Sequence, residues 1–317
     1  MTNSLFTKES ETQPFHTFDD TLKPQIEELL YLGKSAGADL VEIFLEKSDN
    51  ISLLAEQDDI SNVSPSFGIG AGIRVFLGKK DGFVSTNDLT NEGLLFALNQ
   101  ALGMLGLEIG SHNNYKFEGL AVLRDFGANK NDWLCNSPTL SESTIKLLEA
   151  TSSLSCKNNN LEVRRASYSR NWQEVVVAAT DGVFARDIRL HQTVGINVIA
   201  QKDNNRSTSA RRYGSSGNPD DLRNWDIDKS TSDLNESAQK MLYAKYVEAG
   251  QMPVVLANKF GGVIFHEACG HLLETTQLER GTSPFHDSIN KQIAHESVSA
   301  VDEGLSNHAF GSLSMDD

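Results

Sequence analysis

Residues 253–274 read PVVLANKFGGVIFHEACGHLLE, and this stretch decides which fold and chemistry the sequence predicts. Its second half contains His266, Glu267 and His271 in the pattern His-Glu-x-x-x-His. Neutral imidazoles bind zinc well, and a nearby carboxylate can take a proton from a water molecule that the metal activates. The pattern therefore indicates a metal-dependent hydrolase.

The spacing of the two histidines is one residue longer than the His-Glu-x-x-His pattern of common zinc proteases. Each residue turns an α-helix by about 100°, so side chains at i and i+5 diverge by roughly 140°. A regular helix would point His266 and His271 away from a shared metal ion. A π-type turn, which closes i to i+5, would bring them together, and Gly270 lowers the cost of that distortion. We therefore predict a helix with a local bulge or break near Cys269 and Gly270.

The residues before the motif indicate its structural setting. Residues 251–257 have the composition of a short apolar strand, and residues 258–262 that of a turn. The apolar run at 263–265 then leads into His266, which predicts that the motif opens a buried helix. The alternative is a helix with two partly exposed histidines and a surface glutamate. Burial favours the metal site, because buried polar side chains need partners.

Four stretches of the chain resemble the TldD/PmbA family of zinc metallopeptidases, and specifically its active TldD branch. The motif stretch is the most specific of them. The others are SAGADLVEI at 35–43, GAGIRVF at 70–76 and GFVSTNDL at 82–89. The resemblance covers residues 20–317 in order.

The resemblance implies a function, a cofactor and partners. It implies Zn²⁺ and a peptidase that hydrolyses small or unfolded peptides in an enclosed chamber. It also implies a dimer with a homologous subunit, which in this family is often metal-free, and a third zinc ligand, a cysteine, in the C-terminal region. Because the sequence stops at Asp317 inside a pattern that continues in the family, we expect this chain to be C-terminally incomplete. The missing ligand could leave the 317-residue chain inactive by itself.

Composition excludes several classes of partner. The net charge is −15, which argues against nucleic acid and against anionic membranes, since both repel acidic surfaces. The N-terminus lacks the features of a secretory signal, and no apolar run approaches the roughly 18 residues of a membrane span. The three cysteines do not suggest a disulfide framework. A cytoplasmic location is the simplest interpretation.

Hydrophobic periodicity predicts an α+β fold in which an N-terminal helix and antiparallel-sheet domain precedes a domain entered through the motif helix. We expect a polar tail at 1–17, an N-terminal domain at 18–225 with a strand-rich second half, and the start of a C-terminal metallopeptidase domain at 226–317. Helices are predicted at 20–37, 90–103, 139–153 and 232–250. Strands are predicted at 41–46, 51–57, 68–77, 83–84, 163–168, 173–180, 183–188 and 190–201.

Two other patterns have structural interpretations that are simpler than the functional ones. The glycines at 68, 70 and 72 lie in a strand pattern, which favours a bulge or close backbone contact over a nucleotide-binding loop. Residues 203–221 are polar and rich in Gly, Ser and Asn, which predicts a loop. Arg211 and Arg212 in that segment could meet a peptide carboxylate, although a solvated loop is the simpler reading.

Further metal ligands are weakly indicated. Cys269 carries a good zinc donor but lies between the histidines, so a small buried hydrophobe is favoured. Glu274 follows His271 by three residues and could orient an imidazole or act as a weak ligand. The spacing of His286, His295 and His308 does not distinguish them from surface residues.

The sequence thus predicts a zinc-dependent peptidase in which His266 and His271 bind the metal and Glu267 is the general base. One alternative is an inactive partner subunit of the same family that binds no metal and only shapes the chamber. A second is another zinc hydrolase, such as an amidase.

Overall fold

The computed structural model describes residue 18 and residues 22–110, 119–157, 161–258, 260–301, 303–304 and 309–315. The chain divides into two compact units. Unit 1 is Met1–Ala244 with Gly304–Asp317, and unit 2 is Lys245–Glu303. The predicted division between 225 and 226 falls just before a helix that packs in unit 1.

Unit 1 is built on a seven-stranded sheet in the order β3-β2-β1-β5-β6, with β4 and β7 both pairing with β6. The pairings are antiparallel except for that of β4 with β6, which is parallel. The strands are β1 Leu40–Glu56, β2 Asp59–Leu77, β3 Lys80–Thr86, β4 Arg124–Asp125, β5 Leu161–Ala179, β6 Phe184–Lys202 and β7 Asn205–Ser216. The predicted α+β class is confirmed.

Helices flank this sheet in unit 1, and short helical turns form much of unit 2. The helices of unit 1 are α1 Lys23–Ser35, α2 Asn91–Met104, α3 Trp133–Asn136, α4 Leu140–Lys157 and α5 Ile227–Leu242. Those of unit 2 are α6 Phe260–Phe265 and α7 Thr275–Glu279. No helix in the described parts of the chain is long and apolar enough to cross a lipid bilayer.

Two large hydrophobic clusters lie along the sheet. The first packs α1 and α2 on the strands through buried residues such as Leu30, Leu98 and Ile73. The second packs α4 and α5 through residues such as Leu154 and Leu234. Odd-numbered residues of β1 contribute to both clusters, because alternate side chains of a strand point to the same face. Burying one such side chain stabilises the fold by roughly 1.5–3 kcal/mol.

Several predicted strands are parts of longer ones. The segments at 41–46 and 51–57 lie in β1, those at 163–168 and 173–180 in β5, and those at 183–188 and 190–201 in β6. Polar residues between the predicted segments interrupt the apolar alternation but not the backbone pairing. Ser48 pairs with Gln173 and Asn50 with Asn171, for example.

The predicted loop at 203–221 is wrong for most of its length. Residues Asn205–Ser216 form β7, which pairs with β6 from Lys202–Asn205 to His191–Ser216. Ser207 and Ser209 are buried, while most other residues of the strand are exposed. An edge strand obtains its hydrogen bonds from the backbone of its neighbour, so it can form without the apolar alternation that identifies strands in sequence.

The predicted apolar strand at 251–257 is also wrong. These residues have no regular secondary structure and no strand partner within the described chain, and Val254 and Val255 are 71% and 96% exposed. A strand needs a neighbour for its backbone hydrogen bonds, and sequence composition does not supply one.

The glycines of β2 confirm the strand interpretation of that segment. A Cβ on Gly70 would lie 3.0 Å from the backbone oxygen of Thr86, and one on Gly72 would lie 3.0 Å from the Phe83 ring. Their lack of side chains therefore allows β3 to approach closely.

A capping box begins α4 and is joined to a distant arginine. The Glu142 amide donates to Thr139 Oγ1 at 3.2 Å, and the Thr139 amide donates to Glu142 Oε2 at 2.7 Å. Arg223 donates to both carboxylate oxygens of Glu142, at 3.0 and 3.1 Å. The Arg223 hydrogen bonds, followed by the Thr139 amide, lower the pKa of Glu142 from 4.5 to about 2.

We expect Glu142→Gln to lower the free energy of unfolding at pH 7 by roughly 0.5–1 kcal/mol, because the pair with Arg223 is partly exposed to solvent. A depressed pKa contributes stability above 4.5 that is lost as the pH falls toward about 2. Urea denaturation should therefore show a smaller difference in the free energy of unfolding between variant and wild type at pH 3 than at pH 7. Glu149→Gln on the same helix is the control, and a difference independent of pH would contradict the assignment.

Candidate metal centre

A five-residue π-helical turn holds the motif in unit 2. It spans His266–Gly270, follows α6 directly, and is followed by a 3-10 turn at His271–Leu273. The backbone amide of His271 donates to the carbonyl of His266, which is the i to i+5 bond of a π-turn. The distortion predicted near Cys269 and Gly270 is therefore confirmed.

The turn brings the two imidazoles and the carboxylate together. The ring centroids of His266 and His271 are 4.4 Å apart, with the rings inclined by 68°. One potential ligand atom from each of His266, Glu267 and His271 lies within 4.8 Å of the others. Two imidazole nitrogens next to a carboxylate oxygen are donors that suit Zn²⁺. The residues present therefore fit the metal that the pattern predicted.

The cluster is open to solvent. The side chains of Glu267 and His271 are 65% and 49% exposed, and Glu267 Oε2 lies 3.8 Å from His271 Nε2. The prediction of a buried motif helix is wrong for the described residues, since Val263, Ile264 and Phe265 are each close to half exposed. Solvent and an extended ligand can thus reach the three side chains of the cluster.

Glu274 contacts the second histidine. Its Oε1 lies 2.6 Å from His271 Nδ1, and this hydrogen bond is the main reason that the pKa of His271 is raised. The 3-10 turn and the extended backbone of Glu274 place the carboxylate beside the ring. When the ring carries its proton on Nδ1, the lone pair of Nε2 is available to bind a metal ion. A carboxylate commonly orients a metal-binding imidazole in this way. Of the two roles considered for Glu274, this geometry supports orientation.

Ser283 contacts the backbone beside the motif, although it is remote from the motif in sequence. Its hydroxyl donates to the Leu272 carbonyl at 2.6 Å, and the residue is only 2% exposed. The same hydroxyl accepts the Phe285 amide at 3.0 Å. The contact fixes the backbone just after His271. No periodicity or motif links Ser283 to the histidines, so sequence analysis missed it.

The other candidate ligands do not belong to the cluster in the described residues. Cys269 is a partly exposed free thiol. His286 contacts the Ser283 carbonyl and Asp287, and His295 contacts Ser297. His308 lies outside the described residues. Arg211 and Arg212 are exposed on β7 of unit 1 rather than in a loop.

Two imidazoles beside a carboxylate on one distorted helical segment are the side chains typical of a metal-dependent hydrolase site. Three family models narrow the class. PmbA/TldA metallopeptidase domain 1 matches residues 41–105, the central domain matches 136–242, and the C-terminal domain matches 249–317. The chain belongs to the PmbA/TldD family of metallopeptidases.

Curated relatives agree with this family. A metalloprotease TldD homolog of Buchnera aphidicola is 26% identical over 286 residues, covering 88% of this chain and 58% of the relative. A zinc metalloprotease TldD homolog of Saccharolobus solfataricus is 23% identical over 257 residues, covering 81% of this chain and 55% of the relative. The chain therefore spans little more than half the length of these proteins.

Solved structures share the fold. A Thermotoga maritima protein described as a proposed modulator of a DNA gyrase has a TM-score of 0.64 at 16% identity, covering 86% of this chain and 60% of its own. TldE from Thermococcus kodakarensis has a TM-score of 0.60 at 17% identity, covering 83% and 58%. At these identities the likeness concerns the fold.

We expect Glu274→Ala to weaken zinc affinity by about 10- to 100-fold, because His271 loses the carboxylate that orients its ring. Glu274→Gln should weaken it less, since the amide oxygen can still accept the Nδ1 proton. Competition with a chromogenic chelator measures both. Glu279→Ala, an exposed glutamate on α7, is the matched control. Equal affinities for Glu274→Ala and wild type would exclude the orienting role.

Proposed function

We propose that this protein is a zinc-dependent peptidase that hydrolyses small or unfolded peptides. The observation that carries the proposal is the π-turn, in which candidate ligand atoms of His266, Glu267 and His271 lie within 4.8 Å of one another. Membership of a metallopeptidase family supports the same reaction class. The zinc metalloprotease name of the Saccharolobus relative supports the choice of metal.

Each residue has a distinct role in this proposal. His266 and His271 would hold the ion through neutral nitrogens, with Glu274 keeping His271 oriented. When bound, zinc supplies Lewis-acid chemistry that polarises a carbonyl and makes water easier to deprotonate. Glu267, an exposed carboxylate beside His271, accepts the proton from the attacking water and then delivers it to the leaving amine.

The proposal includes a third metal ligand and a partner subunit. Catalytic zinc sites usually have three protein ligands, and the described cluster offers two imidazoles besides Glu267. We therefore propose that a third ligand comes from outside the described residues. We also propose that the protein works in the cytoplasm as a dimer with a homologous subunit, and the family resemblance supports the dimer.

In the protein with its complete metal site, we expect Glu267→Gln to retain zinc and to lose peptidase activity by about 10²- to 10⁴-fold, because the amide cannot accept the proton. The measurements are zinc content by atomic absorption and cleavage of an unstructured fluorogenic peptide. Glu296→Gln, another exposed glutamate of unit 2, should leave both unchanged. Full activity in Glu267→Gln would rule out the general-base assignment.

Zinc stoichiometry of the protein, alone and with a homologous subunit, separates a peptidase from a metal-free partner. We expect bound zinc that is lost in His266→Ala and in His271→Ala. Wild-type protein without zinc in either preparation would favour the partner subunit. Cleavage of simple amides in preference to peptides would favour an amidase.

A further inference from the structure

The short turn after the second histidine of the cluster contains a carbonyl that needs a donor from elsewhere in the chain. The turn spans His271–Leu273 and ends at Glu274, whose backbone is extended. Because the helical path stops there, the Leu272 carbonyl lacks the donor that a continuing helix would supply. Its donor is the hydroxyl of Ser283, at 2.6 Å.

The Ser283 hydroxyl is held in place by a loop with hydrogen bonds of its own. The chain leaves α7 through Gly281, which has a φ of 66°. The amides of Thr282 and Ser283 both donate to the Gln277 carbonyl, at 3.1 and 3.3 Å. Ser283 Oγ accepts the Phe285 amide at 3.0 Å, which leaves the hydroxyl proton for the carbonyl of the turn. The residue is 2% exposed, so water competes little for this bond.

The peptide that receives this hydrogen bond lies between two side chains that contact each other. His271 Nδ1 and Glu274 Oε1 are 2.6 Å apart, and the bonded carbonyl belongs to the peptide that joins Leu272 to Leu273. Rotation of this peptide would change the direction in which the backbone reaches Glu274. The contact between carboxylate and imidazole therefore depends on a peptide that Ser283 holds.

We propose that Ser283 is a positioning residue for the metal cluster. It holds the 272–273 peptide so that Glu274 meets Nδ1 of His271 and the ring presents Nε2 to the ion. The inference rests on the proposed function in one respect, which is that the bound ion is zinc. Ser283 is uncharged, so its effect on the ion passes through the geometry of the His271–Glu274 pair.

Zinc affinity, measured by competition with a chromogenic chelator, tests this effect. We expect Ser283→Ala to weaken zinc affinity about three- to tenfold, less than the roughly 10- to 100-fold typical of direct partners of a metal ligand. Ser283→Thr and Ser283→Val have the same shape and differ in one hydroxyl, so the threonine variant should bind zinc more tightly. Ser297→Ala, at an exposed serine of unit 2, is the control and should bind zinc like wild type. Thermal melting shows that each variant is folded.

A double-mutant cycle separates positioning from general support of the loop. In the Glu274→Ala background His271 has already lost its partner, so adding Ser283→Ala should change zinc affinity by less than about twofold. A residue that only stabilised the loop would cost the same factor in both backgrounds. Equal factors would therefore overturn the inference, as would equal zinc affinities of wild type and Ser283→Ala.

The metal-free protein provides a measurement that does not depend on zinc. Nitrogen-15 NMR of histidine-labelled protein at about pH 9, where imidazoles are neutral, shows which ring nitrogen of His271 carries the proton. We expect the form protonated on Nδ1 to predominate in wild type and to decrease in Ser283→Ala and in Glu274→Ala.

The NMR comparison also distinguishes the two proposals. An unchanged His271 ring in Ser283→Ala would overturn the positioning role. Wild-type protein that binds no zinc would refute the proposed metal site instead, and the spectra of the metal-free variants would still decide the role of Ser283.

Discussion

The antiparallel pairing of β1 with β5 is the interaction on which unit 1 depends. It runs from Glu42–Ala179 to Glu56–Arg165, while the opposite edges of the two strands carry β2 and β6. Without it the sheet would separate into two parts. Both hydrophobic clusters take residues from both strands, so neither core is complete until these distant segments meet. The capping box of α4 lies in the half that β5 and its neighbours support.

A single backbone hydrogen bond has a comparable role in unit 2. Without the i to i+5 closure from His271 to His266, regular helical geometry would separate the imidazoles by more than a third of a turn. The protein thus obtains a His-Glu-His cluster from a spacing that an undistorted helix could not use. Glu274 and Ser283 then hold the ring and the following backbone by contacts of 2.6 Å each.

Much of this arrangement could be predicted from local sequence. The α+β class follows from alternating and helical periodicities, and the π-turn follows from the spacing of His266 and His271. The predictions that were wrong concern segments whose structure depends on a neighbouring strand or residue. Strand β7 lacks apolar alternation and forms because β6 offers a complementary backbone. Residues 251–257 have the apolar composition of a strand but lack a neighbour in the described chain. The contact of Ser283 with Leu272 likewise arises from tertiary folding, which no local pattern encodes.

The polar character of β7 also bears on colloidal behaviour. An edge strand presents unpaired backbone groups that can recruit another chain and start aggregation. Strand β7 carries Arg206, Arg211 and Arg212 with few apolar residues, and its arginines are exposed. Fixed positive charges at the same positions of two approaching copies repel each other. The exposed arginines of β7 therefore disfavour pairing of this edge with the same edge of a second copy.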